Sequence, residues 1–344
     1  MMTKLIRRNL LFAAAALVVL GLALALYSYN SLFAEIDLPS RNSASDNPIK
    51  LDIVTGSSLS RVALDLQQSG YLRSPMIFKL WARLLGSDNK IQAGEYELNA
   101  GITPAELLEK IVRGDSIQYR ITLVEGWTFR QALEAIWNAT NITPQLDGLS
   151  LSEIAVRMNW NHEYPEGLLY PDTYFYTKGT TDIELLSRAN LQLNAVLNQA
   201  WETRLGALPY ASPYEALTMA SIIEKESASN SERELIAAVF VARMDLGMRL
   251  QSDPTVIYGM GDRYEGNIRR EDLLEETPYN TYRIAGLPPT PIALSGRQSI
   301  VAALNPAASD YLYFVAKGDG SHQFSRSLDE HNAAVRQYQL RSNN

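Results

Sequence analysis

Cysteine is absent from all 344 residues, which excludes disulfides, thiolate metal sites and a lipoprotein anchor cysteine, and which fits an oxidising compartment. Histidine is nearly absent too. His162, His322 and His331 are the whole complement, and neither an HExxH motif nor a short spacing to carboxylates joins them, so no metal site is expected. There is no GxSxG, and Gly318-Asp319-Gly320 lacks a phosphate-loop context, so serine-hydrolase and nucleotide-binding readings lose their footing. The net charge is -7 and no cluster of Lys and Arg occurs beyond the N-terminus. A nucleic-acid partner is therefore not expected.

Long hydrophobic runs are scarce, with one exception. Leu10 to Tyr29 carries no charge and follows Lys4, Arg7 and Arg8. About twenty such residues span a bilayer, and the basic flank stays in the cytoplasm. The expected order is a cytoplasmic tail at 1–9, a transmembrane helix at 10–29 with Tyr27 and Tyr29 at the interface, and a polar linker at 30–48 outside the cytoplasm. A cleaved signal peptide is the alternative, with Ala23-Leu24-Ala25 as a weak site. The length of the run, beyond the usual signal core of roughly 7–15 residues, favours a retained anchor.

Past the linker, Ile49, Leu51 and Ile53 alternate with polar residues as in a strand, and Thr55-Gly56-Ser57-Ser58 turns it into a helix that stops at Ser69-Gly70. An apolar helix follows around Ile77 to Leu85. Gly94 to Leu98 starts another small unit, and Thr103-Pro104-Ala105-Glu106 caps a helix through Ile111. Residues 49–116 thus form one small α/β module. Ile117, Tyr119, Ile121 and Leu123 alternate into a second, helix-rich α+β domain at 117–340, where Glu125-Gly126-Trp127 turns the strand. Its predicted helices cover Thr128 to Trp137, Ile183 to Trp201 and Pro213 to Glu226. A further helix opens at a Ser231–Glu234 capping box and stops at Gly247, and a hairpin joins Tyr311–Ala316 to Gln323–Ser325.

The helix from Pro213 carries the chemistry. Ser212, Pro213 and Glu215 make a helix start, and 3.6 residues per turn put Leu217, Ala220, Ser221 and Glu224 on one face. Ala216, Met219, Ile222 and Ile223 cover much of the remainder, so the helix is mostly buried. A glutamate leaving such a helix loses water, which favours its proton-carrying form and suits acid/base work. The bland alternative is a structural ion pair between Glu224 and Arg233 or Arg243. The helix alone leaves both open.

Between Arg249 and Pro291 lie loop-forming and polar-aromatic residues, including Gln251-Ser252-Asp253-Pro254-Thr255, Tyr279-Asn280-Thr281-Tyr282 and Gly286-Leu287-Pro288-Pro289. Stacking rings and amides in stiffened loops suit a sugar-binding cleft, and a stiff surface loop suits them equally. Glu163 to Tyr174, with Glu166 and Asp172 among tyrosines and prolines, could wall the same groove or form a buried tyrosine corner.

The stretches ASIIEKES, GMRLQSDPTVIYGMG, YNTYRIAGLPPTPIA and YLYFVAKGDGSHQFSRSLDEHN, together with EGLLYPDTY, occur here in order. From about Ile49 to His331 the chain resembles the MltG/YceG-like endolytic murein transglycosylases. The resemblance implies a membrane anchor, a LysM-like subdomain at 49–116 and a catalytic domain at 117–340. It implies that Glu224 is the catalytic glutamate, cutting the β-1,4 bond between N-acetylmuramic acid and N-acetylglucosamine in nascent strands and so limiting their length. One carboxyl protonates the leaving oxygen, then takes the proton of the muramic C6 hydroxyl, giving a 1,6-anhydro end without water, metal or cofactor. Glu226, Gln251, Asp253, Tyr258, Asn280 and Tyr282 match positions expected to line or support the site. Ser227 stands where threonine is usual, and Ser295 where proline is common.

The implied partners are peptidoglycan strands, the inner membrane and, at family level, peptidoglycan synthases; the implied location of the catalytic domain is the periplasm. Two other readings stand beside this one. A hydrolytic muramidase would use Glu224 with Glu226 or Asp253, and a catalytically silent scaffold would bind peptidoglycan through the LysM-like module.

Overall fold

The computed structural model describes residues 2–38, 48–226, 229 and 231–340; residues 39–47 of the linker, and Ser227, lie outside the described residues. The chain divides into two compact units, 1–119 with 176–179, and 120–175 with 180–344.

The first unit begins with α1 (Met2–Phe33), longer at both ends than the uncharged run. Asn9–Phe33 within it is long and apolar enough to cross a membrane. The helix continues past Tyr29 because Phe33 meets the edge of Trp81, at 5.6 Å between ring centroids. The rest is β1 (Ile49–Ile53), α2 (Leu59–Gln68), α3 (Pro75–Leu84), β2 (Gly94–Leu98) and α4 (Pro104–Arg113). The strands pair antiparallel, Ile49 opposite Leu98 and Ile53 opposite Gly94. Each helix is capped by the hydroxyl before it, Ser58, Ser74 and Thr103, and Thr103 completes a capping box with Glu106. Such a cap contributes about 1 kcal/mol. Val62, Leu66, Phe78, Tyr96, Leu107 and Ile111 form the core. Tyr119 belongs to this unit because its hydroxyl donates to Glu95 at 2.6 Å.

Apart from the end residues Tyr119 and Tyr176, which count with the first unit, the second unit contains β3 (Tyr119–Thr122), α5 (Phe129–Trp137), α6 (Leu151–Arg157), β4 (Thr173–Tyr176), α7 (Asp182–Glu202), α8 (Pro213–Glu226), α9 (Arg233–Asp245), α10 (Asp253–Met260), α11 (Arg270–Leu274), α12 (Arg297–Leu304), β5 (Tyr313–Ala316), β6 (His322–Ser325) and α13 (Leu328–Val335). The fold is mixed α and β. β3 pairs with β4 and β5 with β6, the latter the antiparallel hairpin expected from the sequence.

At its centre is α8, every residue from Ala216 to Ile223 buried, packed against α7, α9, α10 and α12. Its start is pinned as predicted, the Ser212 hydroxyl accepting Glu215 N–H at 3.3 Å; the Glu215 carboxylate accepts from Ala211 at 2.7 Å, one residue earlier than a capping box requires. Two expectations change. The helix α9 begins at Arg233 with Glu232 at its N-cap, because the Glu232 carboxylate is drawn to His322, at 3.1 Å from the backbone N–H and 2.8 Å from Nδ1. The segment 249–291 is not all loop: α10 and α11 lie within it, Pro254 occupying the first turn of α10, where its missing N–H costs nothing.

Candidate active site

The buried run of α8 ends at Glu224. Its side chain is 4% exposed and both oxygens are taken: Arg233 Nη2 on α9 donates to Oε1 at 2.8 Å, and the backbone N–H of Gly296 donates to Oε2 at 2.9 Å. Arg233 is held in turn by Gln298 Oε1 at 2.8 Å. The carboxyl expected to keep its proton is thus found in the ion pair that formed the bland alternative. Gly296 comes within reach because buried Ser221, one turn before Glu224, accepts Ile292 N–H at 2.9 Å and clamps the 286–296 segment to α8.

Glu226 leaves the helix in another direction. Its carboxylate accepts the Ser252 hydroxyl at 2.5 Å, and the Ser252 N–H donates to Thr281 Oγ1 at 2.9 Å. Beside it, Tyr282 donates its hydroxyl to Asp253 at 2.6 Å, and Gln251 sits in the left-handed region at φ 56°. A non-glycine residue held there is strained, as is common near functional sites. Desolvation, helped by the Asp253 charge and opposed by the Ser252 hydrogen bond, pushes the Glu226 carboxyl up to about 7. Glu226, Gln251, Asp253 and Tyr282 are therefore brought together.

Tyr258 and Asn280 are placed differently. The buried Asn280 side chain donates to the carbonyls of Asp272, Leu273 and Glu275, and its oxygen accepts Tyr282 N–H at 3.0 Å. Its amide is spent on holding the loop that presents Tyr282. Tyr258, at the other end of α10 from Asp253, donates to Glu166 Oε2 at 3.1 Å. Glu166 Oε1 accepts the N–H groups of Phe129 and Gly167 at 2.9 and 3.1 Å, yet desolvation dominates and pushes this carboxyl up to about 7.

Glu166 and Tyr258 stand in a cavity of about 900 Å³ also lined by Tyr164, Tyr214, Tyr279 and Thr290. His162 stacks on Tyr214 with ring centroids 3.9 Å apart, so the wall is a set of aromatic faces with a few polar groups, the usual make-up of a small-molecule or sugar site. A smaller hollow of about 450 Å³ by α11 is lined by Arg263, Glu275, Arg269 and Glu265, side chains already paired with one another. Among the described residues no cluster of His, Asp and Glu is arranged to hold a metal ion.

Glu125 has the least conspicuous signal in the sequence, a single acid in a turn. Its carboxyl lies against Gly296, the residue whose N–H holds Glu224.

A family model described as the YceG-like family matches residues 51–337. An endolytic murein transglycosylase of Bacillus subtilis is 32% identical over 311 residues, covering 86% of this chain and 86% of that protein. One from Streptococcus pneumoniae serotype 2 is 25% identical over 323 residues, 84% of this chain and 58% of that longer protein. A crystal structure of a yceG-like protein from Listeria monocytogenes superposes with a TM-score of 0.51 at 30% identity, covering 84% of this chain and 99% of that one.

Proposed function

The chain belongs to the YceG-like family, and on that premise we propose that it is an endolytic murein transglycosylase with Glu224 as its catalytic carboxyl. The substrate is the glycan strand of peptidoglycan, cut at the β-1,4 bond on the reducing side of N-acetylmuramic acid. The proton of Glu224 goes to the leaving oxygen as the C1–O bond breaks; the C6 hydroxyl attacks C1 and returns its proton to the carboxylate, closing a 1,6-anhydro ring. Arg233 and the Gly296 N–H receive the carboxylate once the proton has left. Glu226, Gln251, Asp253 and Tyr282 hold the strand beside it, Asn280 supports their loop, and the aromatic cavity around Tyr258 takes neighbouring sugar rings.

The single observation that carries this reading is the place of Glu224 in a chain that matches the family model over residues 51–337: an acid at the end of a buried helix, its side chain 4% exposed. The remainder of the proposal concerns place. Helix α1 anchors the protein in the inner membrane with residues 1–9 in the cytoplasm, and the second unit works in the periplasm near the synthases that supply its strands. The first unit is a LysM-like module that holds peptidoglycan, and the cut limits strand length.

The test is digestion of uncrosslinked glycan strands by the full-length protein in detergent, wild type against Glu224→Gln, with products weighed by mass spectrometry. Muramic ends lighter than reducing ends by one water, lost in Glu224→Gln, are expected. Reducing ends alone would establish a muramidase instead, and cell-wall function fully retained by Glu224→Gln would establish a scaffold.

A further inference from the structure

Gly296 has no conformational need to be glycine. Its φ of -71° and ψ of 164° suit any residue. What it lacks is room: a Cβ there would stand 2.0 Å from Glu125 Oε1 and 2.4 Å from its Cδ, while the N–H of the same residue donates to Glu224 Oε2 at 2.9 Å. Two carboxyls therefore face each other across one glycine.

The turn that carries Glu125 is tied down on both sides. Gly126 N–H donates to Leu294 O at 2.9 Å, Leu294 N–H donates to Trp127 O at 2.7 Å, and Lys225 Nζ reaches Gly126 O at 3.3 Å. Glu125 itself is exposed, and among the described residues no donor holds its carboxyl. The charges acting on it are Glu224 of α8 and Arg233 of α9, with Lys225 of α8 held to the neighbouring Gly126. Partial burial first, then the charge of Glu224, push the Glu125 carboxyl above its ordinary value against the pull of Arg233.

We propose that Glu125 is a positioning residue of the catalytic centre, facing Glu224 across Gly296 so that the two carboxyls share one proton and keep it in the site at neutral pH. The inference rests on Glu224 being the catalytic carboxyl. The charge of Glu224 beside it opposes ionisation of Glu125, so Glu125 keeps its proton to higher pH than a lone carboxyl does. With Glu224 ionised against Arg233 and the Gly296 N–H, the proton rests on Glu125. When it moves to Glu224, Glu125 becomes the anion and the charge of the pair is unchanged. Without Glu125, Arg233 and the Gly296 N–H still hold Glu224, and no second carboxyl beside them keeps a proton in the site.

The experiment is the pH profile of anhydro-end formation by the full-length protein in detergent between pH 4.5 and 8, for wild type, Glu125→Gln, Gly296→Ala and Glu224→Gln. Glu125→Gln should move the alkaline limb of kcat acidward by about one pH unit, so the rate at pH 7 falls roughly tenfold and recovers toward wild type near pH 5 with KM unchanged. Gly296→Ala, which evicts the Glu125 carboxyl without removing it, should shift the limb the same way, and Glu224→Gln should stay inactive throughout. A Glu125→Gln limb that coincides with wild type, or a loss that acid does not restore, overturns the proposal. A wild-type protein that makes no anhydro ends at any pH instead overturns the assigned activity.

Discussion

The hydroxyl of Ser221 accepts the N–H of Ile292 at 2.9 Å and donates to the carbonyl of Thr218 at 2.7 Å, so one small side chain joins α8 to a segment 71 residues away. Four residues beyond Ile292, Gly296 meets Glu224. Ser221→Ala leaves a buried N–H without a partner, which costs about 1–3 kcal/mol. The urea midpoint should fall with an unchanged slope, and glycan cleavage should fall further than stability explains, because Gly296 is released.

Arg233 and Glu224 are both desolvated, with side chains 7% and 4% exposed. Removing one partner strands the other charge, so Arg233→Met should destabilise the protein by about 3–5 kcal/mol. Adding Glu224→Leu to that variant should restore most of the loss in urea titrations while leaving no cleavage. A double variant no more stable than Arg233→Met would mean that the arginine acts through packing alone.

Glu166 sets a dependence on pH. Its carboxyl is pushed from an ordinary 4.5 up to about 7 by burial, so the folded protein holds this proton more tightly than the unfolded chain does. The associated stability is full below about 4.5 and is lost as pH rises through about 7, an amount on the order of 3 kcal/mol. Glu166→Gln keeps an oxygen for Phe129 and Gly167 and presents an amide to the Tyr258 hydroxyl. Its denaturation midpoint should be flatter than wild type between pH 4.5 and 7; identical slopes would remove Glu166 as the source.

Gly167 has φ 74°, and a Cβ there would lie 2.4 Å from the ring of Pro291. Gly206 has the same φ with nothing within 4 Å. Gly206→Ala should cost only the backbone penalty of roughly 1–2 kcal/mol, and Gly167→Ala about 1–3 kcal/mol more from overpacking. Paired melting curves read the difference directly.

How much of this was legible depended on distance along the chain. Thr103 with Glu106, and Ser212 with Pro213, are complete helix starts within four residues, and α4 and α8 begin where they say. The face of α8 followed from the same local rule. Ser231 carried an equally good local signal, but His322 draws Glu232 away and the helix starts later. Ser252-Asp253-Pro254 is itself a helix start, hidden among so many turn residues that α10 looked like loop. Ser150 and Glu153 form a capping box for α6, a helix only seven residues long and so a weak periodic signal. The partners of Glu224 were hardest, since Gly296 reaches it only through the Ser221 clamp, and no periodicity reports a contact of that span. Asn280 shows the converse: its residue type suggested sugar recognition, and its surroundings engage the amide with backbone carbonyls.

Helix α8 sends Glu224 toward Arg233 and Gly296, and Glu226, two positions on, toward Ser252. Each added or deleted residue would rotate both acids by about 100° together. Apolar exchanges of similar volume along its buried face can be absorbed by neighbouring packing, but an insertion or deletion between Ser212 and Glu224 would miss both destinations at once. The length of this helix is therefore held more strictly than the identity of its apolar residues.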